Sequence, residues 1–150
     1  MSIKIVATNR KALHEYFVLE TFEAGLSLRG SEIKSIRAGQ ISLGQAYVTL
    51  DSHEAWLINS HIAAYFQASH FNNDPLRPRK LLLHRSEIRK LWENVRQKGV
   101  TIIPLKVYLK DGLAKVEIGL AKGKKLYDKR ADIAKRDIER DLERQFNRRG

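Results

Sequence analysis

The residues that could do chemistry are mostly cations. Asn9-Arg10-Lys11 forms one basic cluster. Arg77, Arg79, Lys80, Arg85, Arg89 and Lys90 form a second, set against Glu87 alone, and Lys122, Lys124 and Lys125 surround Gly123 as a third. Each can bind phosphate oxygens, contacts that position a polyanion without reading its sequence. The residues needed for bond-breaking chemistry show no matching pattern. His14, His53, His61, His70 and His84 carry neither an HExxH spacing nor any repeated short one, and with Cys 0 there is no thiolate ligand or cysteine nucleophile. No GxxxxGK[ST] or GxGxxG phosphate cradle is present, and no linear cluster of carboxylates suggests a metal-dependent nuclease. The chain does not read as an enzyme, and no cofactor or metal is expected. Tyr65, Phe66 and Phe71 lie in a loop-like stretch from which they could stack on bases, whereas Tyr16, Phe17, Phe22 and Trp92 are expected in the core. Glu32, an acid in a basic setting, reads on physical grounds as a first-turn helix residue favoured by the macrodipole.

These clusters are spread over elements that read as mainly β. Apolar residues alternate from Glu15 to Phe22, resume at Leu26 to Leu28, and recur at Tyr47 to Leu50 and Ala55 to Ile58. Val100 to Leu109 and Leu113 to Leu120 flank Asp111-Gly112, a two-residue hairpin turn with positive φ at both centres. That makes at least five strands. Pro104 cannot donate to a ladder, so it belongs at an edge or a bulge. Two helices interrupt the strands. Ser31 can cap Glu32 to Arg37, with Ile33 and Ile36 inward and Gly39 as the stop; after Ser86, Ile88, Leu91, Trp92 and Val95 make an apolar stripe ending at Gly99. An OB-type antiparallel barrel plugged by a helix fits this order, as does an open five-stranded sheet.

Length and charge complete the outline. One hundred and fifty residues suit one domain, and 43% hydrophobic content supports a packed core. The formal charge is +11, which points to an anionic partner. Residues 1–121 hold 17 basic and 11 acidic groups, while residues 122–150 hold 11 and 6. The expected division is a body over 1–122 and a basic tail over 123–150. In the tail Ile138, Leu142 and Phe146 make only a thin stripe, so it should be largely disordered when free and helical on a partner. The N-terminus lacks a signal-peptide pattern and no apolar run is long enough for a membrane helix. A cytoplasmic protein is expected, and nothing demands an oligomer.

Four motifs in order carry a resemblance that spans nearly the whole chain. They are Asn9-Arg10-Lys11-Ala12 through Ala24-Gly25; Gly30-Ser31-Glu32-Ile33-Lys34-Ser35 with Arg37 and Gly39; Asp74 to His84; and Gly123-Lys124-Lys125-Leu126-Tyr127-Asp128-Lys129-Arg130. In these the chain resembles the small protein B family, the SsrA-RNA-binding proteins of bacterial trans-translation. The resemblance implies an OB-fold-like barrel with a central helix. It also implies a non-enzymatic adaptor that binds the tRNA-like domain of transfer-messenger RNA, enhances its charging by alanyl-tRNA synthetase and delivers it with elongation factor Tu to stalled ribosomes. It places Asn9, Glu32, Lys34, Arg37, Arg79 and Lys80 at or near the RNA-binding face, which revises the bland reading of Glu32. The same resemblance puts Gly123, Tyr127, Asp128, Lys129 and Arg130 at the decoding centre, with the tail helical along the empty mRNA channel. Residue 127 is Tyr where some relatives carry His, so a proton-dependent role there is excluded. Two other readings are a general ribosome-associated OB protein and a nuclease or tRNA-modifying enzyme.

Overall fold

A computed structural model of the chain describes residues 2–64, 74–97 and 99–124. Tyr65, Phe66 and Phe71, with Lys125, Tyr127, Asp128, Lys129, Arg130 and the proposed tail helix, lie outside the described residues.

Among the described residues the strands are β1 (Ile3–Thr8), β2 (Tyr16–Leu26), β3 (Ile41–Ser42), β4 (Tyr47–Leu50), β5 (Ala55–Ile58), β6 (His61–Ile62), β7 (Arg79–Leu82), β8 (Val100–Lys110) and β9 (Leu113–Gly123). The helices are α1 (Arg10–Glu15), α2 (Gly30–Arg37) and α3 (Arg85–Val95). Seven strands form one sheet in the order β1-β8-β9-β2-β7-β5-β4, and β3 pairs with β6. Every pairing is antiparallel. The sheet curls so that β4 lies beside β8 and β3 beside β1, giving a mainly β, OB-like barrel whose seam is packed rather than bridged by a ladder.

The long hairpin β8–β9 forms as its turn chemistry demands. Asp111 and Gly112 both hold positive φ, 51° and 82°, the geometry whose twist matches the flanking strands. Pro104 sits at a bulge: the register with β9 shifts between Pro104 and Lys106. It is not at an edge, because β8 lies between β1 and β9.

Several elements differ from the sequence expectations. Helix α2 starts at Gly30, and the Glu32 carboxylate accepts the Arg29 N–H at 2.9 Å. An N3 side chain reaching back to the cap thus replaces the expected Ser31 cap. Helix α3 closes the same way, with Glu87 Oε1 accepting the His84 N–H at 3.1 Å. Strands β1, β3 and β6 and helix α1 are additional to the elements expected from the sequence, and β7 lies hidden inside what reads as a charge run. In β7 Arg79 and Leu81 are buried while Lys80 is half-buried and Leu82 exposed. A fully paired buried arginine therefore takes an inward position of the strand. Phe17 is a further correction. It is 39% exposed, on the outer face of β2, because the period of two that turns Val18 inward turns Phe17 outward.

The core gathers Ile36 from α2, Leu57, Leu81, Val107, Val116 and Ile118 from the sheet, and Leu91 from α3, all essentially inaccessible. Ala12, Ile103, Leu105 and Ala121 form a second, smaller cluster under α1. Burial of each large aliphatic side chain contributes about 1.5–3 kcal/mol, and this holds the curled sheet on α2 and α3.

Candidate nucleic-acid interface

The first motif to acquire geometry is a buried ion-pair hub. Arg79 is fully buried in β7, and its guanidinium reaches Glu32 Oε2 at 2.8 Å, Ser60 O at 2.6 Å, Ser60 Oγ at 3.2 Å and Pro75 O at 3.0 Å. The Glu32 side chain is 3% exposed. It also accepts from the Arg29 N–H and, through both oxygens, from Arg77, whose side chain is 24% exposed. Burial opposes ionisation of Glu32, but hydrogen bonds from Arg77, the Arg29 N–H and Arg79 outweigh it and hold the pKa below the ordinary carboxylate value. Burial lowers the Arg79 pKa, with Glu32 opposing. Arg79 and Glu32 therefore lock the start of α2, the turn after β5 and the 74–78 turn together. Being buried, they cannot themselves touch a bound phosphate.

What this lock presents to solvent is basic. Lys34 and Arg37 are exposed on α2, and the Lys80 side chain, 43% exposed, stands 3.4 Å from Glu54. Beside them runs a furrow along the short β2–β7 junction, where only Gly25↔Leu82 and Leu26↔Leu81 are in register. One limb, about 550 Å³, is lined by Glu23, His53, Lys80, Arg85 and Ile88 among others. The other, about 300 Å³, is lined by Leu28, Ile33, Arg37 and Leu113 among others, and both limbs share Gly25, Leu82 and Lys115. Gly25 permits the close approach, since a Cβ there would lie 3.2 Å from Leu82 Cβ. The furrow joins exposed leucines (Leu82 53%, Leu113 63%) to a charged rim, basic along the smaller limb and mixed along the larger, where Lys80, Arg85 and Lys115 stand among Glu23, Glu54 and Glu87, a surface that suits nucleic acid better than phosphate alone.

The remaining expected residues lie elsewhere. Tyr16 pairs with Gly123 and Phe17 with Lys122, so Lys122, Gly123 and Lys124 sit at the opposite end of β2, nine residues from Gly25, or about 30 Å of strand. Arg10 and Lys11 are exposed on α1, which leads into this end of β2, and Lys124 Nζ stands 5.2 Å over the Phe17 ring. Gly123, expected in the tail, closes β9. Asn9 is only 6% exposed. Its Oδ1 caps α1 through the Ala12 N–H at 3.1 Å and its Nδ2 donates to Pro104 O at 2.9 Å, so its side chain is committed to the fold. Sequence reasoning missed Glu23, Leu82, Leu113 and Lys115. The period-two pattern of β9 turns Lys115 outward, but nothing local signals that β2, β7 and β9 converge. Among the described residues no group of three or more His, Asp or Glu is arranged to hold a metal ion, and no helix is long and apolar enough to cross a membrane.

Comparison with known proteins gives the site a context. The family described as SmpB protein matches residues 6–148. An SsrA-binding protein of Desulforudis audaxviator is 58% identical over 141 residues, covering 94% of this chain and 92% of that protein. One from Caldanaerobacter subterraneus subsp. tengcongensis is 58% identical over 144 residues, covering 96% and 91%. A solved structure described as "tmRNA-SmpB: a journey to the center of the bacterial ribosome" has a chain similar at TM-score 0.66 and 48% identity, covering 78% of this chain and 82% of that one.

Proposed function

The chain belongs to the SmpB protein family, and from that premise we propose that it is a non-enzymatic RNA-binding adaptor. It binds transfer-messenger RNA at the tRNA-like domain and brings it to stalled ribosomes for trans-translation. The observation that carries the reading is the furrow at the β2–β7 junction, with Arg37, Lys80, Arg85 and Lys115 on its walls, beside a fully satisfied Arg79–Glu32 hub.

The mechanism follows from the division of labour among the residues. Lys34, Arg37, Arg77 and Lys80 meet the phosphates and 2′-OH groups of a folded RNA, which is read chiefly by shape. Glu32 and Arg79 fix the spacing between α2 and the 74–78 turn, so the cations are preorganised rather than gathered on binding. Asn9 does the same for Arg10 and Lys11 by capping α1. At the far end of β2, Arg10, Lys11, Lys122, Lys124 and Lys125 face a second stretch of RNA. The residues after Gly123, with Tyr127, Asp128, Lys129 and Arg130, act at the decoding centre, and the tail follows the mRNA channel. Elongation factor Tu and alanyl-tRNA synthetase are reached through the RNA, and the protein works as a monomer in the cytoplasm.

The test is a gel-shift titration of the full chain against transfer-messenger RNA, with bulk tRNA as competitor, at about 150 mM salt, where weak phosphate binding is suppressed. Binding that survives excess tRNA is expected, and binding that tRNA erases refutes the reading. Truncation after Lys125, which keeps the Tyr16–Gly123 pairing and every cation assigned to RNA, should leave RNA affinity nearly intact and abolish tagging on stalled ribosomes. Equal loss of both would refute the assignment of the tail.

A further inference from the structure

A held carboxylate stands on the wall of the larger furrow limb. Glu23 lies on the outer face of β2 with its side chain 40% exposed. The hydroxyl of Tyr108, a β8 residue only 5% exposed, donates to Glu23 Oε2, and Lys110 Nζ lies 3.4 Å from both carboxylate oxygens. Strand β9 runs between them, with Glu117 in register with Glu23 and Lys115 in register with Tyr108. Two residues thus reach across an intervening strand to orient one carboxylate. The other two carboxylates on this limb have evident local duties: Glu54 accepts from Trp56 Nε1 at 3.2 Å and faces Lys80, while Glu87 closes α3. Glu23 caps no helix, and its Tyr108 bond and lysine neighbour keep it anionic.

An oriented anion in a groove for RNA works against phosphate binding, so its purpose must lie with another part of the ligand. A carboxylate offers about four acceptor sites; Tyr108 uses one, and Lys110 makes only a long contact shared between the two oxygens, 3.4 Å to each, which a base edge can displace. The nucleobase edge that presents two adjacent N–H donors and no acceptor between them is the Watson–Crick edge of guanine, through N1–H and N2–H. Adenine, cytosine and uracil each place a repelling acceptor beside their donor. Leu82, 53% exposed on the shared wall, supplies an apolar surface against the face of such a base. We infer that Glu23 is a specificity-determining residue that reads an unpaired guanine, and that Tyr108 is the residue positioning it. This rests on the RNA-binding reading above.

The experiment is interference mapping on the tRNA-like domain of transfer-messenger RNA, sparsely substituted with inosine phosphorothioate, which lacks the N2 amine, and partitioned by binding to the full-length protein. Wild type is expected to reject molecules carrying inosine at one guanosine or a small set, by about tenfold at each. Glu23→Ala should erase that rejection. Tyr108→Phe, which keeps the packing, should weaken it while leaving the salt dependence of binding unchanged. An identical inosine pattern in wild type and Glu23→Ala, or none in wild type, would overturn the inference while leaving the adaptor intact. Failure of wild type to bind this RNA over bulk tRNA would overturn the adaptor reading and the inference with it.

Discussion

Replacing Arg79 by Met removes a guanidinium that is fully buried and makes four hydrogen bonds of 3.2 Å or shorter to Glu32, Ser60 and Pro75. Removing one partner of a buried pair costs about 3–5 kcal/mol, because the other charge stays buried. Glu32 would keep Arg77, itself partly solvated at 24% exposure, so the lower end applies, about 3 kcal/mol. For a chain of this size that lowers Tm by about 6–12 °C. Urea unfolding with a circular-dichroism readout measures the difference directly, with m unchanged if only the folded state is affected. Adding Glu32→Leu removes the stranded carboxylate, so Arg79→Met with Glu32→Leu should be at least ~1 kcal/mol more stable than the sum of the single losses. The pH dependence has a fixed sign. The folded pKa of Glu32 is depressed, so its stabilisation is full above the ordinary carboxylate pKa and is lost as pH falls through the lowered value. The Arg79→Met protein should therefore lose less stability on acidification than wild type. A single-variant cost below about 1 kcal/mol, or additive behaviour in the double variant, would refute the hub.

Three further outcomes follow from the geometry. Asn9→Ala removes both the α1 cap and the bond to Pro104 O, and should cost about 1–2 kcal/mol in urea unfolding while leaving the salt slope of RNA binding unchanged. Gly112→Ala places a Cβ at φ 82° and should cost about 1 kcal/mol, read as a lower urea midpoint. Lys80→Ala should reduce the salt slope of RNA binding by about one unit and weaken affinity. Because the Lys80–Glu54 pair is exposed, thermal stability should shift by less than about 0.5 kcal/mol.

The division between what was legible in the sequence and what was not follows the range of the forces involved. Turn chemistry, helix periodicity and charge are local properties, and they were readable. Asp111-Gly112 demanded positive φ and has it, Gly39 and Gly99 follow α2 and α3 with φ 74° and 84°, and Ile88 and Leu91 are the buried half of the predicted stripe, whereas Val95 and Trp92, the latter expected in the core, are only partly covered. The motifs around Glu32 and Arg79 marked the right neighbourhood, yet a linear motif does not say which of its charges faces inward. That depended on pairing: Glu32 and Arg79 are 47 residues apart, Glu23 and Tyr108 85, and Asn9 and Pro104 95. Strand β7 read as a run of charge because one cation in it is neutralised by an acid from a distant helix. A basic, mainly β protein and its β8–β9 turn could thus be read from residues close together in the chain, since neighbours suffice to set backbone torsions. Which polar residues are buried in the hub and which line the furrow emerges from long-range packing, because strand register and burial are settled by the whole curled sheet at once.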